Sequence, residues 1–516
     1  MSVQPPAPAD RPPTGDLPAH SDVFVRGLSE AIGGPLGEHA ARRSPAAPTN
    51  RFWTATRIVL ALVCLTLALH WVQKSPCRTG AWDQNIQYTR FCYTDVLALY
   101  YAEGLNEGKV PYRDHPVEYP VVTGYFMGAL GLPVHDLAAV WPDINQGTWF
   151  YNLNALVLSL LAVGTAVVIL RLRRHRPWDA ALFALAPALV VTATVNWDLL
   201  AIGLAAFGLY AWARQRPVLA GALIGLGAAA KLWPLFLFGP LLLLCLRAGR
   251  VRPVLTAIMA GAVAWVTVNA PVFLLYRESW NRFFELNTER AIDWGTFWYI
   301  GRYVDSKWNQ GQPGDRGPFQ WLSDHVDPTL NYVSYALFAL ACVGVAALIL
   351  LAPRRPRLAQ VAFLVVAAFL IFNKVWSQQF VLWLIPLAVL ARPRWGAFLA
   401  WQLAEIGYFV AFYGELLGTS TNKPVFPEGV FVLAATLRLT TVVVLCVLIV
   451  REILRPELDP VRGTYADDPD GGVVDGAPDV AWLARRRGRP TGTDHNGAPD
   501  PAAGVPTAHP AAVSAS

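Results

Sequence analysis

The chain has 516 residues, of which 54% are hydrophobic and 15% charged, and its formal net charge is +6. An ordinary soluble domain carries about 25% charged residues, so this composition excludes an ordinary soluble enzyme and indicates a polytopic membrane protein. The positive balance does not mark a nucleic-acid partner, because the basic residues fall in short segments between apolar runs, where they set orientation.

Residues 1–50 lack hydrophobic periodicity and are expected to be a disordered tail, and residues 456–516 read the same way, with many Asp, Gly, Pro and Ala. No cleavable signal peptide is visible. Between the tails, apolar runs recur from Arg51 to Arg451, several of them near the ~20 residues a bilayer demands. The 20 Trp and 17 Tyr suit two interfacial belts.

The basic clusters predict the path. Arg42, Arg43 and Arg51 precede the first span, about 54–72, and place the N-terminus in the cytoplasm. Segments 171–176, 214–216, 247–252, 354–357, 392–394 and 451–455 belong on the same side. If 117–132 crossed the membrane, the next span, about 150–170, would carry its arginines outward, so 117–132 is expected in or on the outer interface. The run 218–246 starts and ends near basic clusters and reads as a hairpin of two short helices with Ala230-Lys231 near its tip. Further spans are expected at about 178–195, 199–213, 254–275, 331–352, 358–372, 380–391, 396–413 and 429–450. The fold class is therefore all-α and polytopic, with about twelve transmembrane helices in a domain covering 51–455, and both termini are cytoplasmic. Two outer loops, 73–148 and 276–330, are too long to be simple connectors, and their Trp, Tyr and Phe argue against disorder.

The polar residues that carry chemistry collect in these outer segments. Asp95 opens the short segment Asp95-Val96-Leu97-Ala98-Leu99-Tyr100-Tyr101-Ala102, with Tyr93 just before it. On local features Asp95 is either a helix cap or a base. Glu118-Tyr119-Pro120 follows in the same loop. Asp198 sits in the second outer turn, while Lys231 and Lys374 stand in apolar surroundings, where each either snorkels or holds an anion. In the large loop, Arg277, Arg282, Arg290 and Arg302 are either a solvated face or phosphate ligands. Cys64, Cys245, Cys342 and Cys446 lie inside apolar runs. Cys77 and Cys92 share one polar outer loop, a compartment that permits oxidation, and are expected to form a disulfide. No metal-spaced cluster, P-loop or dinucleotide fingerprint occurs, so no cofactor or metal is expected; His115 beside Glu118 is too isolated to mark a metal site.

Four segments stand out in order and spacing: Asp95 heading a Tyr-rich helix with Gly108-x-x-Pro111-Tyr112 and Tyr119-Pro120; Asn196-Trp197-Asp198; Gly221 to Pro234, ending in Lys231-x-x-Pro; and Lys374-x-x-Ser377-x-Gln379. Together they resemble glycosyltransferase family 87, membrane enzymes of the GT-C class that include mycobacterial phosphatidylinositol mannoside mannosyltransferases. The likeness runs from about 54 to 450, and it departs at Val121, where the family commonly has a second proline.

The resemblance implies a GT-C fold and an extracytoplasmic active site that moves a hexose from a polyprenyl-phosphate donor with inversion. Mannose rests on the resemblance alone, and a glycolipid, polysaccharide or protein acceptor all stay open. Asp95 is implied as the base, with Tyr119, Asp198, Lys231, Arg290, Lys374 and Gln378 as substrate-binding residues. Outside the cytoplasm there are no nucleotide sugars, which suits a lipid-phosphate donor. A phosphate leaving group needs cations more than a second carboxylate, unlike the alcohol leaving group of glycoside hydrolysis. The competing reading, a transporter or flippase of a lipid-linked intermediate, would show internal repeats and polar residues at span centres. High Ala, Arg and Pro with little Lys suggests a GC-rich genome such as an actinobacterium's.

Overall fold

The computed structural model describes residues 22–34, 52–308 and 317–480. Most of both expected tails, and residues 309–316 of the large loop, lie outside the described residues. One unit runs through Ala477, and a second begins at Pro478. Every named element in the described residues is helical.

In chain order the principal helices are α1 (Val23–Gly33), α2 (Ala55–Lys74), α3 (Asp95–Ala102), α4 (Val121–Val140), α5 (Gln146–Leu172), α6 (Asp198–Ala213), α7 (Pro217–Ala230) and α8 (Phe238–Arg247). There follow α9 (Val251–Leu275), α10 (Arg277–Glu289), α11 (Phe297–Trp308), α12 (Asn331–Leu351), α13 (Leu358–Phe372), α14 (Val381–Ala391), α15 (Trp395–Thr421) and α16 (Glu428–Leu454). Among the described residues, 5 helices are long and apolar enough to cross a membrane: Ala55–Cys77, Gln146–Leu172, Val251–Leu275, Val326–Leu351 and Glu428–Leu454. The count of twelve included shorter runs, and several of these, such as Asp198–Ala213 and Leu358–Phe372, form apolar helices of 10–17 residues.

The span expected at 178–195 is broken. Ala180–Ala184 and Pro187–Thr192 are separate short helices, and Ala186 between them is extended at φ −63°, ψ 114°. Pro187 lacks an N–H and pushes its predecessor out of the helical region. The chain that leaves this break carries Thr194 to Asp198 to the end of the bundle where α3 docks. Thr94 Oγ1 donates to the Thr194 carbonyl (2.6 Å), and the Asp95 amide donates to the Val195 carbonyl (2.7 Å).

The hairpin at 218–246 has its break at Lys231, which is extended at φ −149°, ψ 142° and ends α7. Gly221 and Gly225 let α7 lie directly on α9. A Cβ at either would collide with the backbone of Ala257 or Gly261, so small residues carry this contact as they do in membrane helix pairs.

At the opposite end of the bundle, two expectations fail. Residues 456–477, expected to be part of a disordered tail, pack onto the helices. Arg173 forks to Asp470 (2.6 and 2.7 Å), Arg357 forks to Asp459 (2.7 and 3.1 Å), and Trp212 Nε1 donates to the Gly471 carbonyl (2.9 Å). The acidic composition that suggested disorder instead supplies partners for buried arginines. Likewise residues 22–34 are ordered: Asp22 caps α1 by accepting from the Phe24 amide (2.9 Å) and also accepts from the Trp395 amide (2.8 Å).

Candidate functional site

Asp95 opens α3, but it is not the cap. Thr94 is, accepting from the Val96 amide at 3.2 Å. That frees the Asp95 carboxylate. Its Oδ2 accepts from Asn196 Nδ2 (2.8 Å) and the carboxylate also accepts from the Tyr93 hydroxyl. The same Asn196 amide donates to the Tyr119 hydroxyl oxygen (2.5 Å), and Asn196 Oδ1 accepts from the Trp197 amide (2.6 Å), which fixes which way the amide points.

Two residues further on, buried Asp198 begins α6. Trp383 Nε1 donates to its Oδ1 (2.7 Å), and the Lys231 ammonium lies 3.4 Å from the same oxygen. Lys231 also sits 5.1 Å from the Tyr119 ring centroid and 5.4 Å from that of Phe380, and Tyr119 packs edge-on against Trp197 (5.6 Å). The fold thus gathers Asp95, Tyr119, Asp198 and Lys231 from three separate stretches of the chain and the tip of the hairpin.

Burial raises the Asp95 carboxyl above the usual carboxylate range, while the Asn196 and Tyr93 hydrogen bonds and the Lys231 charge pull it back. Asp198 pushes it up. The side chain stays partly exposed, so it can be reached. The Glu118 carboxyl is raised by partial burial and by the Asp95 charge, with Arg290, Lys231 and Arg282 opposing.

Lys374 and Arg290 form a neighbouring group rather than joining Asp95. Lys374 Nζ donates to the Thr288 carbonyl (2.8 Å), and its carbonyl accepts from the Asp293 amide (2.8 Å). Burial and the Arg290 charge bring the Lys374 ammonium down to about 8, against the Asp327 charge. Gln378 is buried and hydrogen-bonded to Tyr413, whose phenol faces the Asp95 charge. The sequence reading named Asn196 in the Asn196-Trp197-Asp198 motif but gave it no role in the site. It did not single out Trp383 and Tyr413, which lie on apolar helices that offer no signal.

Cys77 and Cys92 are joined by a disulfide, 15 residues apart in sequence. It ties the end of α2 to the strand of chain entering α3, and Lys74 Nζ reinforces the tie by donating to the Tyr93 carbonyl (2.9 Å). Beside the site, a cavity of about 340 Å³ runs between the hairpin, α9 and α10, lined by Tyr119, Leu232, Leu235, Phe238, Trp265 and Phe284 among others. Its wall is apolar except near Asn269 and the tyrosines. Among the described residues no three His, Cys, Asp or Glu side chains gather in a metal-binding group.

Residues 138–374 match the family model of glycosyltransferase family 87. The match implies a membrane glycosyltransferase, and it takes in Asp198, Lys231, Arg290 and Lys374 but not Asp95, Tyr119 or Gln378. It is narrower than the 54–450 likeness read from the motifs. No curated protein matches the chain.

Proposed function

We propose that this protein transfers a hexose, mannose on the motif resemblance, from a polyprenyl-phosphate donor to an envelope acceptor on the extracytoplasmic side, with Asp95 as general base and inversion at the anomeric carbon. The observation that carries the reading is the convergence of Asp95 with Lys231 around Tyr119, which itself lines an apolar cavity. A base and a cation separated by an aromatic ring are what a single displacement from a phosphate requires.

Asp95 takes the proton of the acceptor hydroxyl as that oxygen attacks the anomeric carbon from the face opposite the phosphate. The bond to the phosphate oxygen breaks with its electron pair, and the lipid phosphate leaves as an anion. Lys231, held by Asp198 and desolvated against two rings, favours that developing charge. Lys374 and Arg290 add positive potential nearby. The isoprenoid chain lies in the apolar cavity, whose lining suits a hydrocarbon and offers few polar partners. Both termini and the arginine-rich helix ends face the cytoplasm in this arrangement, and a GT-C architecture is part of the same reading.

The test is to incubate membranes carrying the protein with labelled polyprenyl-phosphate-mannose and to identify the labelled product. Asp95→Asn, which keeps shape and removes the base, should lower transfer by about 10²–10⁴-fold. Wild-type transfer by that variant would reject Asp95 as the base.

A further inference from the structure

The turn 373–380 has no regular hydrogen-bond ladder until Gln378, yet it meets the site on several sides. Lys374 reaches the Thr288 carbonyl, Gln378 bonds Tyr413, Phe380 faces Lys231, and Trp383 just beyond it holds Asp198. Carbonyl oxygens in such a turn need donors from elsewhere. Two consecutive ones receive them from a single side chain on α16: Arg438 Nη1 donates to the Trp376 carbonyl (2.9 Å) and Nη2 to the Ser377 carbonyl (3.0 Å).

Arg438 is fully buried in the last span. Its Nε lies 3.0 Å from Glu405 on α15, itself anchored by Trp401 Nε1 (2.9 Å). The guanidinium is sandwiched between the Trp376 ring (4.2 Å) and the Tyr408 ring (4.3 Å). Charges inside a membrane span are expensive, and a buried ion pair is weak evidence for stability, since apolar replacements of both partners often fold as well. The cost is explained if the pair has a job that an apolar pair could not do. A planar fork spans two carbonyls at fixed spacing, which a lysine ammonium cannot.

Resting on the transferase reading above, we infer that Arg438 is a positioning residue: with Glu405 fixing its plane, it clamps the Trp376 and Ser377 carbonyls and so sets where the turn places Gln378, Phe380 and Trp383 around Lys231 and Asp198.

The experiment compares wild type, Arg438→Lys and the double variant Arg438→Met/Glu405→Met in detergent or nanodiscs, by thermal stability, hydrogen exchange and transfer kinetics. The double variant should keep its melting temperature within a few degrees, and the lysine variant should keep its ion pair. In both, amides of the 373–380 peptide should exchange at least tenfold faster, with α13 unchanged. In both, kcat should fall at least tenfold, with a smaller change in KM for the lipid-phosphate donor. Should the double variant fail to fold, the lysine variant alone decides. Unchanged exchange in the turn overturns the inference whatever the enzyme's activity, and so does faster exchange with wild-type kcat. Absence of transfer by the wild-type protein instead overturns the transferase reading, and the exchange result still stands or falls by itself.

Discussion

The Lys231 ammonium lies 3.4 Å from Asp198 Oδ1 and over the face of Tyr119, so the cation at the hairpin tip is oriented by a carboxylate on one side and a ring on the other. A snorkelling lysine extends to the interface, whereas this one is nearly buried and lies against Tyr119, a residue that lines the cavity.

Lys231→Gln should therefore lower kcat by about tenfold or more, since a cation beside a leaving phosphate acts mainly in the transition state. Lys423→Gln, on an exposed turn remote from these contacts, serves as the control and should leave transfer unchanged. Equal, small effects from both substitutions would remove Lys231 from the chemistry.

The pH profile gives a second check. Burial raises Asp95, so its basic form appears only above the usual carboxylate range, and kcat/KM should fall as pH drops through that raised value. The linkage has the opposite sign for stability. A group raised in the folded state contributes stability below its unfolded value and loses it as pH rises through its folded value, so the acid side is where folding benefits and transfer suffers. Because the Lys231 charge pulls Asp95 down, Lys231→Gln should move the acid limb to higher pH. Glu103 is a second carboxyl pushed up by burial, to about 7, and Glu103→Gln should leave the limb in place. A limb that stays fixed in Lys231→Gln and disappears in Glu103→Gln would assign it to the wrong carboxylate.

The Cys77–Cys92 bridge closes a short loop ahead of α3. Chain-entropy arguments give about 3 kcal/mol for a loop of roughly this length. Cys92→Ser should lower the melting temperature and lower transfer, because the chain that delivers Asp95 loses its tether. The same melting temperature with and without reductant would show that the bridge contributes nothing.

At the other end, truncation after residue 455 removes Asp459 and Asp470 and leaves Arg357 and Arg173 buried without their carboxylates. Breaking one buried pair in this way typically costs about 3–5 kcal/mol. The truncated protein should be markedly less stable by thermal unfolding in detergent, whereas truncation after residue 480 should not. A 455 truncation as stable as the full chain would make the segment dispensable.

Orientation is tested by single cysteines at two exposed positions. Arg113→Cys, in the first loop, should react with a membrane-impermeant thiol reagent on intact cells, and Arg174→Cys, beyond α5, should not. Reaction at 174 but not at 113 would invert the arrangement.

The sequence by itself determined the class and most element boundaries, because apolar length and basic flanks are local properties. The first helix expected at 54–72 is Ala55–Lys74, and the break of the 218–246 hairpin falls at Lys231, as the Ala230-Lys231 tip implied. It also marked Asp95, Asp198 and Lys231 as unusual, since each is an ionisable group among apolar or aromatic neighbours. Only the tertiary structure decided which of these meet. Asp95 and Asn196 are about a hundred residues apart, and nothing local predicts a 2.8 Å contact between them; it exists because Pro187 breaks a helix and turns its end toward α3. The cap at α3 passed from Asp95 to Thr94 for the same reason, as Thr94 is held by the Thr194 carbonyl. The acidic segment after 455 misled composition most, because a carboxylate reads as solvated until an arginine from a distant helix end is buried against it. Local pattern reports where a side chain prefers to be, while pairing over long separations depends on which helix ends the packing brings together.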